Sequence, residues 1–388
     1  MNHKRRFLVT TLDAAGNWPP QLALVRALVA RGHEVRVLSN AAHATPLEEA
    51  GAKFRPYEPA LESDPALRRN ESPQEEAARA FQEVFLNPRF ADALLAEVKR
   101  DAPDVLLVDQ LLLMAVAAAE STGLPTAILW HTVYGDVTEN SAQMPSFLFE
   151  PLNVFRGNLG LAPTPDLWEG TRNADAILAF TYEAFDLVPQ NRPSHLHYVG
   201  PLGWLSQPAS PYPSPWAADD QRPLVLVSYS TSFQNQGSTL QRVVDAMANL
   251  PVRVLLTLGA SIQAAELQLP ANVVAKPFVP HASVLPDARL VVTHAGHGTV
   301  MAAVTAGVPM VCMPMGRDQH AVSACVERRQ LGVVVPMTAS PEELKDVIAS
   351  TLADRALHER ARAFAAGLDV KAGMSRAVDV LEALGAPG

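Results

Sequence analysis

Short runs of branched and aliphatic residues alternate, along the whole 388-residue chain, with stretches in which apolar positions recur every three or four residues. A strand covered on both faces reads as a continuous apolar run, and its crossover helix reads as an amphipathic one. The alternation therefore predicts parallel sheets with helices on both sides. In the first half, residues 7–11, 34–38, 105–108, 126–130 and 176–180 read as strands, and 21–30, 74–83, 91–99 and 114–121 as helices. In the second half the strands are expected at 224–228, 252–257, 273–275, 290–293, 310–313 and 333–335. A helix is expected at 240–248, a long Ala- and Arg-rich one at 341–366, and an amphipathic segment at 375–384. Residues 57–72 and 134–170 hold no sustained period and are richer in Pro, Glu and Asn, so they read as long loops shaping a binding site.

The pattern is interrupted once, at 205–223, where Pro208, Pro211, Pro213, Pro215 and Pro223 make a stiff extended connection. The expected organisation is a first Rossmann-like domain at 1–205, a linker at 206–223, a second such domain at 224–370 and a terminal helix at 371–388. A chain of this length is too long for one typical core and fits two. Composition adds exclusions. With 48% hydrophobic and 18% charged residues the chain is globular, and its net charge of −9 argues against a nucleic-acid or anionic-membrane surface. Two cysteines, Cys312 and Cys325, give no disulfide framework. The basic start, Met1 to Arg6, is followed by too short an apolar run for a signal peptide, and no apolar segment approaches 18 residues. A cytoplasmic protein with no membrane partner is expected.

The most informative stretch is 291–319, VVTHAGHGTVMAAVTAGVPMVCMPMGRDQ. It reads as buried strand, polar turn, apolar helix, second buried strand, and a turn ending in Asp318-Gln319. The turn around Gly296 and Gly298 leaves backbone N–H groups free at a helix N-terminus, a natural site for phosphate. His294, His297 and Thr299 can add side-chain donors, and Asp318 and Gln319 can face sugar hydroxyls. Upstream lie Lys276-Pro-Phe-Val-Pro-His281 and a strand running into Ser230-Thr231. Taken together, and with Gly16 after the first strand and Gly32-His33-Glu34-Val35 after the first helix, these motifs resemble the GT-B nucleotide-sugar-dependent glycosyltransferases, in particular bacterial enzymes acting on macrolides and other natural products.

The resemblance implies two Rossmann-like doubly wound α/β domains facing a cleft, with the C-terminal helix crossing back to the first. It implies acceptor binding by the first domain and nucleotide-sugar binding by the second, with Phe278 and Val279 packing on the nucleobase. A dinucleotide cofactor is not expected, since Gly296-x-Gly298 lacks the third glycine of that fingerprint. No ligand cluster of metal spacing is evident either, so the chemistry is expected to need neither metal nor cofactor. The implied reaction is an inverting transfer of a hexose from a TDP- or UDP-sugar to a hydroxyl of a hydrophobic acceptor. A homodimer is compatible with this reading.

One element departs from the pattern. Relatives carry a Gly-His pair after the first strand, and the His serves as base; here the position is Asn17, whose amide accepts no proton at neutral pH. The partner that orients such a base is matched by Asp109. Asp13 and His131 are alternative bases, Asp109 can act directly, or an acidic phenol or carboxylate acceptor can dispense with a base. A non-catalytic partner protein that binds nucleotide sugar or aglycone is the alternative reading, and a sugar-nucleotide epimerase a further one. Trp18, Trp130, Tyr134, Met144, Phe147 and Phe149 are the expected lining of an apolar acceptor pocket.

Overall fold

The computed structural model describes residues 4–13, 15–57, 73–141, 148–189, 192–203, 212–229, 236–259 and 262–385. Two compact units divide the chain. The first holds β1 (Arg6–Thr10), β2 (Glu34–Ser39), β3 (Lys53–Pro56), β4 (Val105–Asp109), β5 (Thr126–Trp130), β6 (Ala176–Ala179) and β7 (Leu196–Tyr198). They form one parallel sheet in the order β3-β2-β1-β4-β5-β6-β7. The second holds β8 (Leu224–Ser228), β9 (Arg253–Thr257), β10 (Val273–Lys276), β11 (Ala288–Thr293), β12 (Met310–Cys312) and β13 (Gly332–Val334), parallel in the order β10-β9-β8-β11-β12-β13. Each sheet reverses its strand order once, between β1 and β4 and between β8 and β11. The crevice beyond the strand C-termini at such a reversal is where doubly wound folds bind ligands.

Alternation along the central strands sends residues to two cores. Leu8, Leu106, Val108, Ile128 and Trp130 meet the helices Pro88–Arg100 and Leu113–Thr122 on one face. Phe7, Val9, Val105, Leu107, Ala127 and Leu129 meet helix Trp18–Ala30 and the C-terminal helix Ala372–Leu384 on the other. Both faces being dry, polar side chains that belong to these strands collect at their ends.

The C-terminal helix returns to the first unit as the resemblance implied. Leu381, Ala377 and Val378 are buried against Leu24 and Leu28. Its start fits tightly: a Cβ on Gly373 would stand 1.9 Å from the Val199 carbonyl oxygen. Arg376 donates to the Tyr198 carbonyl at 2.9 Å, and Glu382 takes a 2.8 Å contact from His33 and a 3.1 Å hydrogen bond from Arg31.

Three expectations are corrected. Residues 134–170 are not one long loop, since helices Gly135–Ser141, Glu150–Asn158 and Glu169–Arg172 lie within them. These are too short to show a period, and the first is held by a distant group: buried Asp186 accepts from the backbone N–H of Tyr134 at 2.7 Å and of Gly135. The single helix expected at 341–366 is two, Pro341–Ala353 and Arg355–Ala366, because the Asp354 carboxylate accepts from Leu357 N at 2.9 Å and starts the second. Strands β3 and β7 were not expected, the one being a half-exposed edge and the other three residues long. Residues 58–72, most of the other expected loop, lie outside the described residues.

Gly373→Ala should undock the terminal helix without unfolding the sheet. Amide exchange at 372–384 is expected to quicken at least about fivefold, equivalent to about 1 kcal/mol, with β1 and β4 unaffected. Unchanged protection would show that the close approach to Val199 is not what seats the helix.

Candidate active site

In the second unit the chain leaves β11 at Thr293 and enters helix His297–Ala306 through three residues. Ala295 takes φ +66°, a left-handed conformation that costs a non-glycine residue about 1 kcal/mol or more. Gly296 caps the helix, and only glycine fits there, because a Cβ would lie 2.6 Å from Nε2 of His294. The His294 ring is thus folded back over the helix N-terminus. It is 7% exposed, stacks on Tyr229 with centroids 5.7 Å apart, and lies 3.4 Å from the Thr293 hydroxyl. Burial, aided by the positive charge of Arg317, lowers its pKa to about 4, so the imidazole is neutral at physiological pH. Residues 296–299 are partly exposed and the first turn holds no acidic side chain, so no carboxylate of that turn offsets the helix dipole. His297, Gly298 and Thr299 all belong to this first turn.

The loop after β10 splits its two apolar residues. Phe278 is 71% exposed while Val279 is buried and anchors the loop. His281 follows, its Nε2 3.1 Å from the hydroxyl of Ser228 at the end of β8; burial lowers its pKa to about 4. Gln319 is buried, with its amide oxygen accepting from Met315 N at 2.8 Å and Gly316 N at 3.2 Å. That oxygen is spent on shaping the turn, which leaves Asp318 as the more accessible of the pair. Asp318 stands at the N-cap of helix Gln319–Arg328 without a side-chain capping bond. Ser230 and Thr231 lie outside the described residues.

In the first unit, Asn17 ends a short turn, Ala15–Asn17, and precedes helix Trp18–Ala30 without capping it. Exposed Asp13 has its N–H held by Asn40 at 2.8 Å and one carboxylate oxygen 3.6 Å from His43. His43 in turn lies 2.7 Å from the Ser39 hydroxyl and stacks on Trp18 at 3.6 Å. Deeper in, Asp109 is wholly buried at the end of β4. One oxygen accepts from Leu111 N at 3.0 Å; the other accepts from the Gln21 amide at 2.6 Å and stands 3.1 Å from His131 Nε2. The Gln21 amide nitrogen is also 2.8 Å from that ring nitrogen. The His131 ring meets Phe180 edge-on, and the residue's backbone N–H donates to the Gln110 amide oxygen at 2.6 Å.

The structure thus brings Asp109 and His131 together, and sets Asp13 against His43 in a separate cluster. Gln21 and His43 were missed. Gln21 had a readable signal, since it occupies the same helical stripe as Leu24, Val25 and Leu28, where a polar residue needs a buried partner. The expected aromatic pocket is corrected. Trp130, Tyr134 and Phe149 are buried core residues, with Trp130 packed between Tyr134 and Trp168 at 4.9 and 5.1 Å. Strand alternation turns Trp130 to the face opposite His131. Trp18 is partly exposed, and Met144 and Phe147 lie outside the described residues.

The chain is similar to known proteins along its whole length. Residues 241–383 match the profile of the erythromycin biosynthesis protein CIII-like C-terminal domain. The chain is 28% identical over 372 residues to 4'-demethylrebeccamycin synthase of Lentzea aerocolonigenes, covering 84% of this chain and 87% of that one. It is 27% identical over 402 residues to demethyllactenocin mycarosyltransferase of Streptomyces fradiae, covering 97% and 86%. The crystal structure of the kitacinnamycin glycosyltransferase superposes with a TM-score of 0.78 at 25% identity, covering 99% of this chain and all of that one. The chain is an enzyme with the GT-B fold, similar to glycosyltransferases of the macrolide and natural-product type. Among the described residues no helix is long and apolar enough to cross a membrane.

The depressed histidines His281 and His294 make the second unit acid-sensitive. Their folded pKa lies below the unfolded value of 6.5, so their contribution is complete above pH 6.5 and is lost as pH falls toward 4. For His281 alone the full loss is about 3 kcal/mol. His281→Asn should flatten the fall in denaturant-unfolding stability between pH 6.5 and 4.5; an unaltered slope would mean that His281 is not held neutral.

Proposed function

We propose that the enzyme transfers a hexose, with inversion, from a TDP- or UDP-sugar to a hydroxyl of a hydrophobic natural product. The observation that carries this reading is the outward-facing N-terminus of helix His297–Ala306 beneath a neutral His294. As the bond from the sugar to the diphosphate breaks, negative charge grows on the leaving oxygens. Fixed backbone N–H groups and a helix dipole stabilise that charge with little reorganisation. A neutral imidazole donates to the same oxygens, and with a pKa of about 4 it does so throughout the physiological range. The side chains of His297 and Thr299 extend this donor set.

In this reading Phe278 is the platform for the nucleobase: a phenyl ring 71% exposed is poorly placed in water and well placed under a flat base. Asp318 receives sugar hydroxyls, and Gln319 holds the turn that presents it. The hydrophobic acceptor is supported by the relatives, which act on large natural products by name, rather than by the aromatic residues of the first unit, most of which are spent in the core. A non-catalytic role is not favoured by these relatives, which are named as enzymes.

Nucleoside-diphosphate release from a panel of UDP- and TDP-sugars, with and without phenolic and aliphatic acceptors, tests the reaction. Release is expected to require an acceptor, and the product should carry the anomeric configuration opposite to the donor's. Phe278→Ala should raise the donor KM about tenfold, the loss of one stacked base. His294→Ala should lower kcat by about 10²-fold, as removal of an oxyanion donor does elsewhere. Acceptor-independent release, or full activity in His294→Ala, would overturn the assignment.

A further inference from the structure

We propose that His131 takes the proton of the acceptor hydroxyl in place of Asn17, with Asp109 and Gln21 as its positioning residues. The inference rests on the transfer reaction proposed above and names the group that completes it. Register places these residues together. Thr10 lies beside Val108 and Asp109 beside Leu129, so Thr11, Asp109 and His131 follow one another across the C-terminal ends of β1, β4 and β5. Asp109 and His131 continue the face of Leu107 and Leu129, which helix Trp18–Ala30 covers, and Gln21 enters from the first turn of that helix.

The geometry is that of a carboxylate-oriented imidazole. Nε2 lies 3.1 Å from Asp109 Oδ2, and a carboxylate is the stronger partner for an N–H at that position. With Nε2 protonated, Nδ1 carries the free lone pair. Nδ1 is buried and has no partner among the described residues; the same is true of Gln21 Oε1 and the Thr11 hydroxyl. Buried polar atoms are rarely left so, since each costs about 1–3 kcal/mol. Three of them around one end of the sheet mark a place made for a hydroxyl-bearing ligand. The Gln21 amide holds Asp109 at 2.6 Å and also approaches Nε2 at 2.8 Å, so it competes with the carboxylate for that nitrogen and influences which tautomer prevails.

The step balances as follows. The acceptor oxygen forms its bond to the anomeric carbon while its proton passes to His131 Nδ1, directly or through one water. The bond from the anomeric carbon to the phosphate oxygen breaks, and its electron pair leaves with the nucleoside diphosphate. The resulting imidazolium is stabilised by the Asp109 carboxylate. Asp13, the other acidic residue near Asn17, is half exposed and faces His43 at 3.6 Å.

The test compares acceptors of different acidity. In His131→Asn, kcat with an aliphatic alcohol should fall about 10²–10⁴-fold. With a nitrophenol, which ionises without help, it should fall less than about tenfold, and calorimetric binding of UDP or TDP should be unchanged. Equal loss on both acceptors, or no loss, overturns the proposal. So does finding the acceptor-graded loss in Asp13→Asn instead. Should His131→Asn fail to fold by thermal melting, His131→Gln, which keeps more of the side-chain volume, is read by the same ratio. Absence of transfer by the unaltered enzyme across the whole donor panel would defeat the reaction proposed above; the His131 comparison is made only where the unaltered enzyme turns over.

Discussion

Burial of both faces of each parallel sheet is the constraint on which everything else in this enzyme depends. β1, β4 and β5 in the first unit and β8, β11 and β12 in the second are dry on both sides, so their interiors accept only apolar residues. Polar side chains are tolerated where a strand ends, and parallel strands all end at the same edge. Where strand order reverses, the flanking crossovers run to opposite faces and leave that edge open. Thr293, His294 and Ser228 reach one such edge, and Thr11, Asp109 and His131 the other.

Within the second unit the proposed anion site is shaped by one exclusion. Gly296 has no side chain, and the His294 ring occupies the space a Cβ would need. The ring is thereby desolvated enough to stay neutral, while the helix behind it starts with no acidic side chain in its first turn. Backbone strain at Ala295, the glycine and the low histidine pKa are three aspects of one tight turn. Gln319 does similar work a strand further on, giving its amide oxygen to Met315 and Gly316 so that Asp318 is presented.

The first unit shows how a departure from a family pattern can be absorbed. Asn17 stands in the turn after β1 where the resemblance implies a histidine, and Asp109, the carboxylate implied to orient it, has not been left idle. Asp109 is saturated by Leu111, Gln21 and His131. A buried carboxylate without such partners would cost several kcal/mol, so the loss of one partner demands another close by. The aromatic residues tell the opposite story: in sequence they cluster in loop-like stretches, and in space Trp130, Tyr134 and Phe149 stabilise the core.

The sequence by itself determined the two-sheet plan, most of the strands and the glycine-containing turn from strand to helix at 293–297. These depend on local period and on glycine positions, which are properties of neighbouring residues. It also pointed to Asp109 at a strand end. Tertiary structure alone decided that His131 meets Asp109, that Gln21 joins them, that Asp13 is drawn to His43, and that short helices lie within 134–170. Each of those pairings joins residues far apart in the chain, in the case of Gln21 and His131 by 110 positions. Strand register and helix placement set such distances, and no local pattern of polar and apolar residues encodes them.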